Sequence, residues 1–183
     1  MNDGSRGSGF GIRIPNPKSR IPALLVSTVL GVGYIPFAPG TLGSAVGLLL
    51  WGLLPTSPYV HGGAIAVLFI AGSWSGSVAE RHFGRADPGH VVIDEVMGML
   101  ITLFLNPVGW AGAGFAFLLF RAADIVKPYP ANRFERLRGG VGVMADDGMA
   151  AVYANLVLRI CIWLSSHLVI WSMIVLLTDP LTR

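Results

Sequence analysis

Four apolar blocks, at residues 42–54, 60–79, 96–120 and 149–177, alternate with short polar segments along the chain. A helix rises about 1.5 Å per residue, so the second block is long enough to cross roughly 30 Å of hydrocarbon. The first is shorter and can extend at either end. Each of the last two carries a natural break, Asn106-Pro107-Val108-Gly109 in one and Ser165-Ser166-His167 in the other. Each therefore reads as one spanning helix or as a tight hairpin of two short ones. Residues 21–32 form a mildly apolar helix candidate, too short to span and suited to an interface. The sequence has no convincing period-2 strand pattern, internal repeat or low-complexity tract. The pattern predicts an all-α fold, a compact membrane-embedded bundle of short or hairpin-forming helices.

Charge position bears on how those helices are threaded. Nearly all Lys and Arg lie in the N-terminal tail, at residues 80–90 and at residues 121–138, whereas the connections near 55–61, 106–109 and 165–167 carry none. Basic residues favour the cytoplasmic side, so hairpins in the last two blocks bring every charged segment to that face. If residues 96–120 crossed once, the acid pairs Asp94-Glu95 and Asp146-Asp147 would end on opposite sides. Three antiparallel helical pairs with the polar chemistry at one end are therefore expected. Arg159 falls inside an apolar segment in either arrangement, where it must snorkel or find a partner.

Composition supports the membrane reading. The 183 residues are 53% hydrophobic and 13% charged, with a mean hydropathy of +0.65, well above what a soluble core of this length needs. One domain, residues 21–183, is expected behind a flexible cytoplasmic tail, residues 1–20. That tail is rich in Gly, Ser, Pro and basic residues and lacks the apolar core of a signal peptide. The net charge of +3 and pI near 9.4 do not call for nucleic acid, because the bases lie between apolar blocks and not on one polar face. Anionic headgroups or phosphate are the expected partners. Cys161 is the one cysteine, which excludes a disulfide framework or a cysteine metal site within one chain; a buried thiol is expected.

The candidate chemistry centres on the two acid pairs. Ionised carboxylates are costly near hydrocarbon, yet Asp94-Glu95 interrupts an apolar run and Asp146-Asp147 repeats the arrangement. On a helix, neighbouring residues point about 100° apart, so Asp94 and Glu95 can share a metal only at a helix end or between helices. Mg²⁺ takes one or two carboxylates plus water and substrate oxygens, which suits that geometry. The plainer alternative is an N-terminal acid pair stabilised by the helix dipole. Asp87-Pro88 reads as a turn or helix start, and His90 as facing water or orienting a carboxylate. Arg121, Asp124 and Lys127 recur every three residues on one helix face, a spacing that serves a phosphate beside a metal or a surface ion-pair ladder. Pro128 and Pro130 then stop the helix. Arg133, Arg136 and Arg138 read as headgroup contacts. The stretch Gly40-Thr41-Leu42-Gly43-Ser44 closes a Pro- and Gly-rich loop that forbids a regular helix and can aim backbone N–H groups at an anion. A cysteine-nucleophile phosphatase, an Asp-x-Asp phosphatase of the haloacid-dehalogenase type and a histidine phosphatase all lack their signatures here, which leaves carboxylate and metal chemistry.

Four stretches carry a family resemblance: GYIPFAPGTLGS at 33–44, DPGHVVIDEVMGM at 87–99, FRAADIVKPYP at 120–130 and GGVGVMADDGMAA at 139–151. In these segments, and in their order, the chain resembles the phosphatidylglycerophosphatase A family. Where that family often has Phe-Asp-Ile, this chain has Ala123-Asp124-Ile125, which keeps the acid. The resemblance implies a Mg²⁺-dependent lipid phosphatase of the bacterial cytoplasmic membrane, active on phosphatidylglycerophosphate at the cytoplasmic face. On that reading Asp94, Asp146 and Lys127 are the catalytic candidates, and Asp94, Glu95, Asp124, Asp146 and Asp147 are the metal candidates. Thr41, Ser44, Arg121 and Arg133 would bind substrate. A small ion-coupled transporter is the alternative; it predicts acids spread along a path across the bilayer.

Overall fold

The computed structural model describes the backbone of residues 17–178 except 86, 128 and 130–138, and side chains from 20 to 168 with the same exceptions. Among the described residues the regular structure is wholly helical. It comprises α1 (Pro17–Ser27), a 3₁₀ turn (Val32–Tyr34), α2 (Pro39–Leu53), α3 (Pro58–Phe83), α4 (Ile93–Leu103), α5 (Trp110–Val126) and α6 (Gly140–Thr178).

Small residues set how closely these helices approach. At Gly47 of α2 an added Cβ would lie 2.7 Å from Met99 Cβ and 2.7 Å from Val96 O, so a side chain there would force α2 off α4. Gly43 meets Val92 and Glu95 in the same way, and the rising order of both sets makes α2 and α4 parallel. Gly72 faces Met144 and Gly76 faces Gly140, which sets α3 antiparallel to α6. The Ser77 hydroxyl accepts the Gly140 N–H at 2.8 Å, so α3 caps the start of α6. One buried cluster, including Met99, Leu103, Phe120 and Leu158, joins α4, α5 and α6; a second, including Ala79, Ile93, Met97 and Met144, joins α3, α4 and α6.

The expected hairpin at residues 96–120 is present: α4 ends at Leu103 and α5 begins at Trp110, across the Asn106–Gly109 break. The last block differs. Residues 149–177 lie within the single helix α6, so the arrangement is not three helical pairs. Ser165 and Ser166 donate their hydroxyls to the Ile162 and Trp163 carbonyls, which satisfies them inside the helix and removes the need for a break. Both acid pairs still reach one end of the bundle, because α4 and α6 run parallel from it.

Two further expectations change. The stretch 40–44 is the first turn and a half of α2, with Pro39 at its start, where a missing N–H costs nothing. Its glycines serve close packing. At the N-terminus α1 begins at Pro17, inside the segment expected to be a tail; residues 1–16 lie outside the described set. Cys161 is half-buried.

Arg159 finds a partner. α4 is only 11 residues long and its carboxyl end is enclosed, so its last carbonyls need donors. The Asn155 amide lies 3.0 Å from Ile101 O, 3.0 Å from Thr102 O and 2.9 Å from Phe104 O. Arg159 donates to Asn155 Oδ1 at 2.9 Å and to Phe104 O at 3.3 Å, and Asn106 donates to Thr102 O at 3.0 Å. α6 thus caps α4.

Candidate active site

The amino ends of α2, α4 and α6 meet the carboxyl end of α5. The first turn of α4 brings Asp94 and Glu95, the last turns of α5 bring Arg121, Asp124 and Lys127, and the second turn of α6 brings Asp146 and Asp147. Asp94, Asp124, Asp146 and Asp147 are buried, and Glu95 is nearly so. Carboxylate oxygens of Asp94, Glu95 and Asp147 lie within 4.8 Å of one another. Asp124 pairs with Arg121 Nη1 at 2.7 Å and stands near enough for its charge to bear on Asp147. Arg121 Nη1 also lies 3.9 Å from Glu95 Oε1 and donates to Ser44 Oγ at 3.4 Å. Lys127 ends α5 in a left-handed conformation, φ 44°, and its Nζ sits 2.5 Å from Asp146 Oδ2. Asp146 and Asp147 therefore divide the work: one holds the lysine, the other faces Asp94 and Glu95.

Five carboxylates against Arg121 and Lys127 leave a buried excess of negative charge. Burial pushes the Asp94 carboxyl well up from its ordinary range, with the neighbouring Glu95 charge adding to it. Burial likewise raises Glu95 to about 7, helped by the Asp147 and Asp124 charges and opposed by the Asp94 hydrogen bond and by Arg121. Such a centre stays ionised only if a cation is supplied. Glu95 Oε2 and Arg121 Nε are both buried without a hydrogen-bond partner, one an acceptor and the other a donor. An all-oxygen donor set with an unused carboxylate oxygen fits a hard divalent cation such as Mg²⁺. The unused guanidinium N–H beside it fits an anionic oxygen.

α2 contributes backbone. Gly40 lies against Glu95 and Arg121, and a Cβ there would collide with Glu95 Oε1 and lie 3.1 Å from Arg121 Nη2. No side chain caps the first turn of α2; Pro39 has no N–H and Leu42 N–H bonds Ala38 O, which leaves the N–H groups of Gly40 and Thr41 for an anion. Ser44 is buried and touches Arg121, whereas Thr41 is exposed and no contact ties it to the acids. Arg133 lies outside the described residues. His90 is half-buried: it stacks on Phe83, ring centres 4.9 Å apart, and packs against Tyr34. Asp87, read from sequence as a turn residue, is exposed with φ 45°, near enough for its charge to bear on Asp94. Its place in the same segment as Asp94 was the available signal. A separate cavity of about 630 Å³ opens at the far end of the bundle, lined by Trp51, His61, Asn106 and Trp110 among others. No carboxylate lines it.

Fold and centre together define an all-helical protein with a buried acid-and-base site gathered at one end. Comparison of sequences narrows the class. The model of the Phosphatidylglycerophosphatase A family matches residues 25–162, and the chain belongs to that family of phosphatases. A protein of Bacteroides thetaiotaomicron named as a putative phosphatidylinositol-3-phosphatase is 39% identical over 150 residues, covering 76% of this chain and 93% of its own. Phosphatidylglycerophosphatase A of Haemophilus influenzae is 37% identical over 150 residues, with 78% and 92% covered. The protein of that name from Escherichia coli is 35% identical over 144 residues, with 74% and 83% covered. No solved structure matches significantly.

Proposed function

We propose that this protein hydrolyses the terminal phosphomonoester of phosphatidylglycerophosphate to phosphatidylglycerol and inorganic phosphate, with Mg²⁺, in phospholipid biosynthesis. One observation carries the reading: in a chain of this family, three carboxylates from two helices converge within 4.8 Å beside Arg121. The acids cluster at one end and do not mark a path across the bundle, which speaks against the transporter alternative. α3 and residues 140–168 of α6 are long and apolar enough to cross a membrane. We place them in the bacterial cytoplasmic membrane with the site on the cytoplasmic face, in keeping with the basic segments near that end.

Asp94, Glu95 and Asp147 would hold the cation, with Asp124 beside them on Arg121. Bound Mg²⁺ would offset charge developing on the phosphoryl oxygens. Arg121 would offer its unused Nε–H to a phosphate oxygen, with Asp124 on Nη1 fixing its orientation. Lys127, locked on Asp146, places a second positive charge on the same side. The N–H groups of Gly40 and Thr41 in the first turn of α2 would complete the cradle.

The test is phosphate release by the purified chain in detergent with Mg²⁺, from phosphatidylglycerophosphate, phosphatidic acid and phosphatidylinositol 3-phosphate in parallel. The expected result is preference for the first and loss of activity in Asp94→Asn and Asp147→Asn. Preference for the inositol lipid, the substrate class in the name of the Bacteroides relative, would replace the substrate; full activity in both variants would remove the site.

A further inference from the structure

Lys127 ends α5 at the boundary between the buried acids and water: its side chain is 23% exposed, against 3% for its partner Asp146. Its backbone, at φ 44°, is in the left-handed region, which a residue with a Cβ adopts only where the surrounding structure holds it. One hold is the helix itself, since the Lys127 N–H donates to Ala123 O at 2.8 Å. A second lies two residues on, where the Tyr153 hydroxyl donates to Tyr129 O at 3.1 Å. Asp146 and Tyr153 are seven residues apart on α6, nearly two full turns, so they share one face of that helix. A long side chain on a helix leans toward the amino end, which turns Tyr153 back toward Asp146. The chain leaving α5 is therefore fastened to a single face of α6 at two points, by the Lys127 ammonium on Asp146 and by the Tyr129 carbonyl on Tyr153. The first of these belongs to the charged centre, and the second lies outside it.

We propose that Tyr153 is a positioning residue for Lys127: its hydroxyl clamps the chain just past α5 against α6 and thereby keeps the Lys127 ammonium on Asp146, beside the phosphate cradle. This rests on the reading of Lys127 as a positive charge for the substrate phosphate. A lysine has a long flexible stem and a strongly hydrated head, so one ion pair near water does not fix it. Holding the backbone on both sides, at the Ala123 carbonyl before and at Tyr153 after, restricts the root of that side chain. The phenolic O–H is the donor the clamp needs, and phenylalanine lacks it.

The full chain holds two lysines, Lys18 and Lys127, so one serves as the reference for the other. Brief labelling of the detergent-solubilised protein with acetic anhydride, cleavage at arginine and mass spectrometry give the ratio of Lys127 to Lys18 acetylation, with no substrate present. An ammonium held on a carboxylate is protected from acylation. A hydrogen bond of ordinary strength corresponds to about fivefold in an equilibrium, so Tyr153→Phe, which keeps the ring and loses the donor, should raise that ratio roughly fivefold. An unchanged ratio overturns the clamp. In a second arm, Tyr153→Phe should lower kcat/KM roughly fivefold in the parent and less than about twofold when Lys127→Ala is already present, because it acts through that lysine. Equal factors in both backgrounds, as expected of an aromatic that only anchors α6 at a membrane surface, overturn it as well. A raised ratio in a chain that releases no phosphate from any lipid would retain the clamp and remove the catalytic reading. Phosphate release with an unchanged ratio would do the reverse.

Discussion

Replacing Asn155 by Leu removes the donor that closes the end of α4 while nearly keeping side-chain volume. One amide group serves three carbonyls at 2.9–3.0 Å, and its oxygen accepts from Arg159. Its two N–H groups make at most two full hydrogen bonds at a time. Phe104 N, Asn106 and Arg159 still reach these carbonyls, so none is left wholly bare. The loss is therefore about 1 kcal/mol for each bond removed, about 2 kcal/mol in all. For a domain of this size that lowers Tm by roughly 4–8 °C. Thermal unfolding in one detergent at one scan rate measures it. Asn155→Asp should fall further than Asn155→Leu, because it keeps an acceptor for Arg159 but turns a carboxylate toward three carbonyl oxygens. A Tm for Asn155→Leu within about 1 °C of the parent, or an Asp variant more stable than the Leu variant, would refute the capping account.

Gly40→Ala should leave the fold intact and reduce kcat by at least about tenfold, because its methyl displaces Glu95 Oε1 and crowds Arg121; steady-state kinetics beside a thermal melt checks both halves. Gly47→Val should act on stability, by about 1–3 kcal/mol, since Met99 and the Val96 carbonyl leave no room between α2 and α4; a melt that matches the parent's contradicts it. Lys127→Ala should weaken activity by a smaller factor when Asp146→Ala is already present than when it is introduced alone, because the two form one buried pair; equal factors in both backgrounds contradict the pairing. Chelation of divalent cations should abolish phosphate release, and Mg²⁺ should restore it.

Much of this could be seen in the sequence, and the reasons for the rest are local. The hairpin at 104–109 was visible because Pro107 and Gly109 interrupt a hydrophobic run, and proline cannot continue a helix there. The gathering of the acid pairs followed from the charge on either side of them. Ser165-Ser166-His167 does not break α6, because serine can be satisfied by the carbonyl three residues back. The glycines at 40 and 43 looked like turn residues, but glycine also marks where another backbone or a charged side chain comes close, and only the fold separates these roles. Arg159 was opaque for a related reason. Its partner carbonyl at Phe104 is 55 residues away, just past the end of a helix whose shortness creates the need for it. The division of labour between Asp146 and Asp147 depends on which way α6 is rotated, and adjacent identical residues cannot show that.

The central claim is that Asp94, Glu95 and Asp147 hold one divalent cation at this end of the bundle. Titration of the purified chain with Mn²⁺, read by electron paramagnetic resonance, tests it without reference to any substrate. The account predicts one saturable site in the parent, displaced by Mg²⁺ and lost in Asp94→Asn and in Asp147→Asn, while Asn155→Leu keeps it. A site that survives both acid substitutions unchanged would contradict it, as would a parent chain that binds no Mn²⁺.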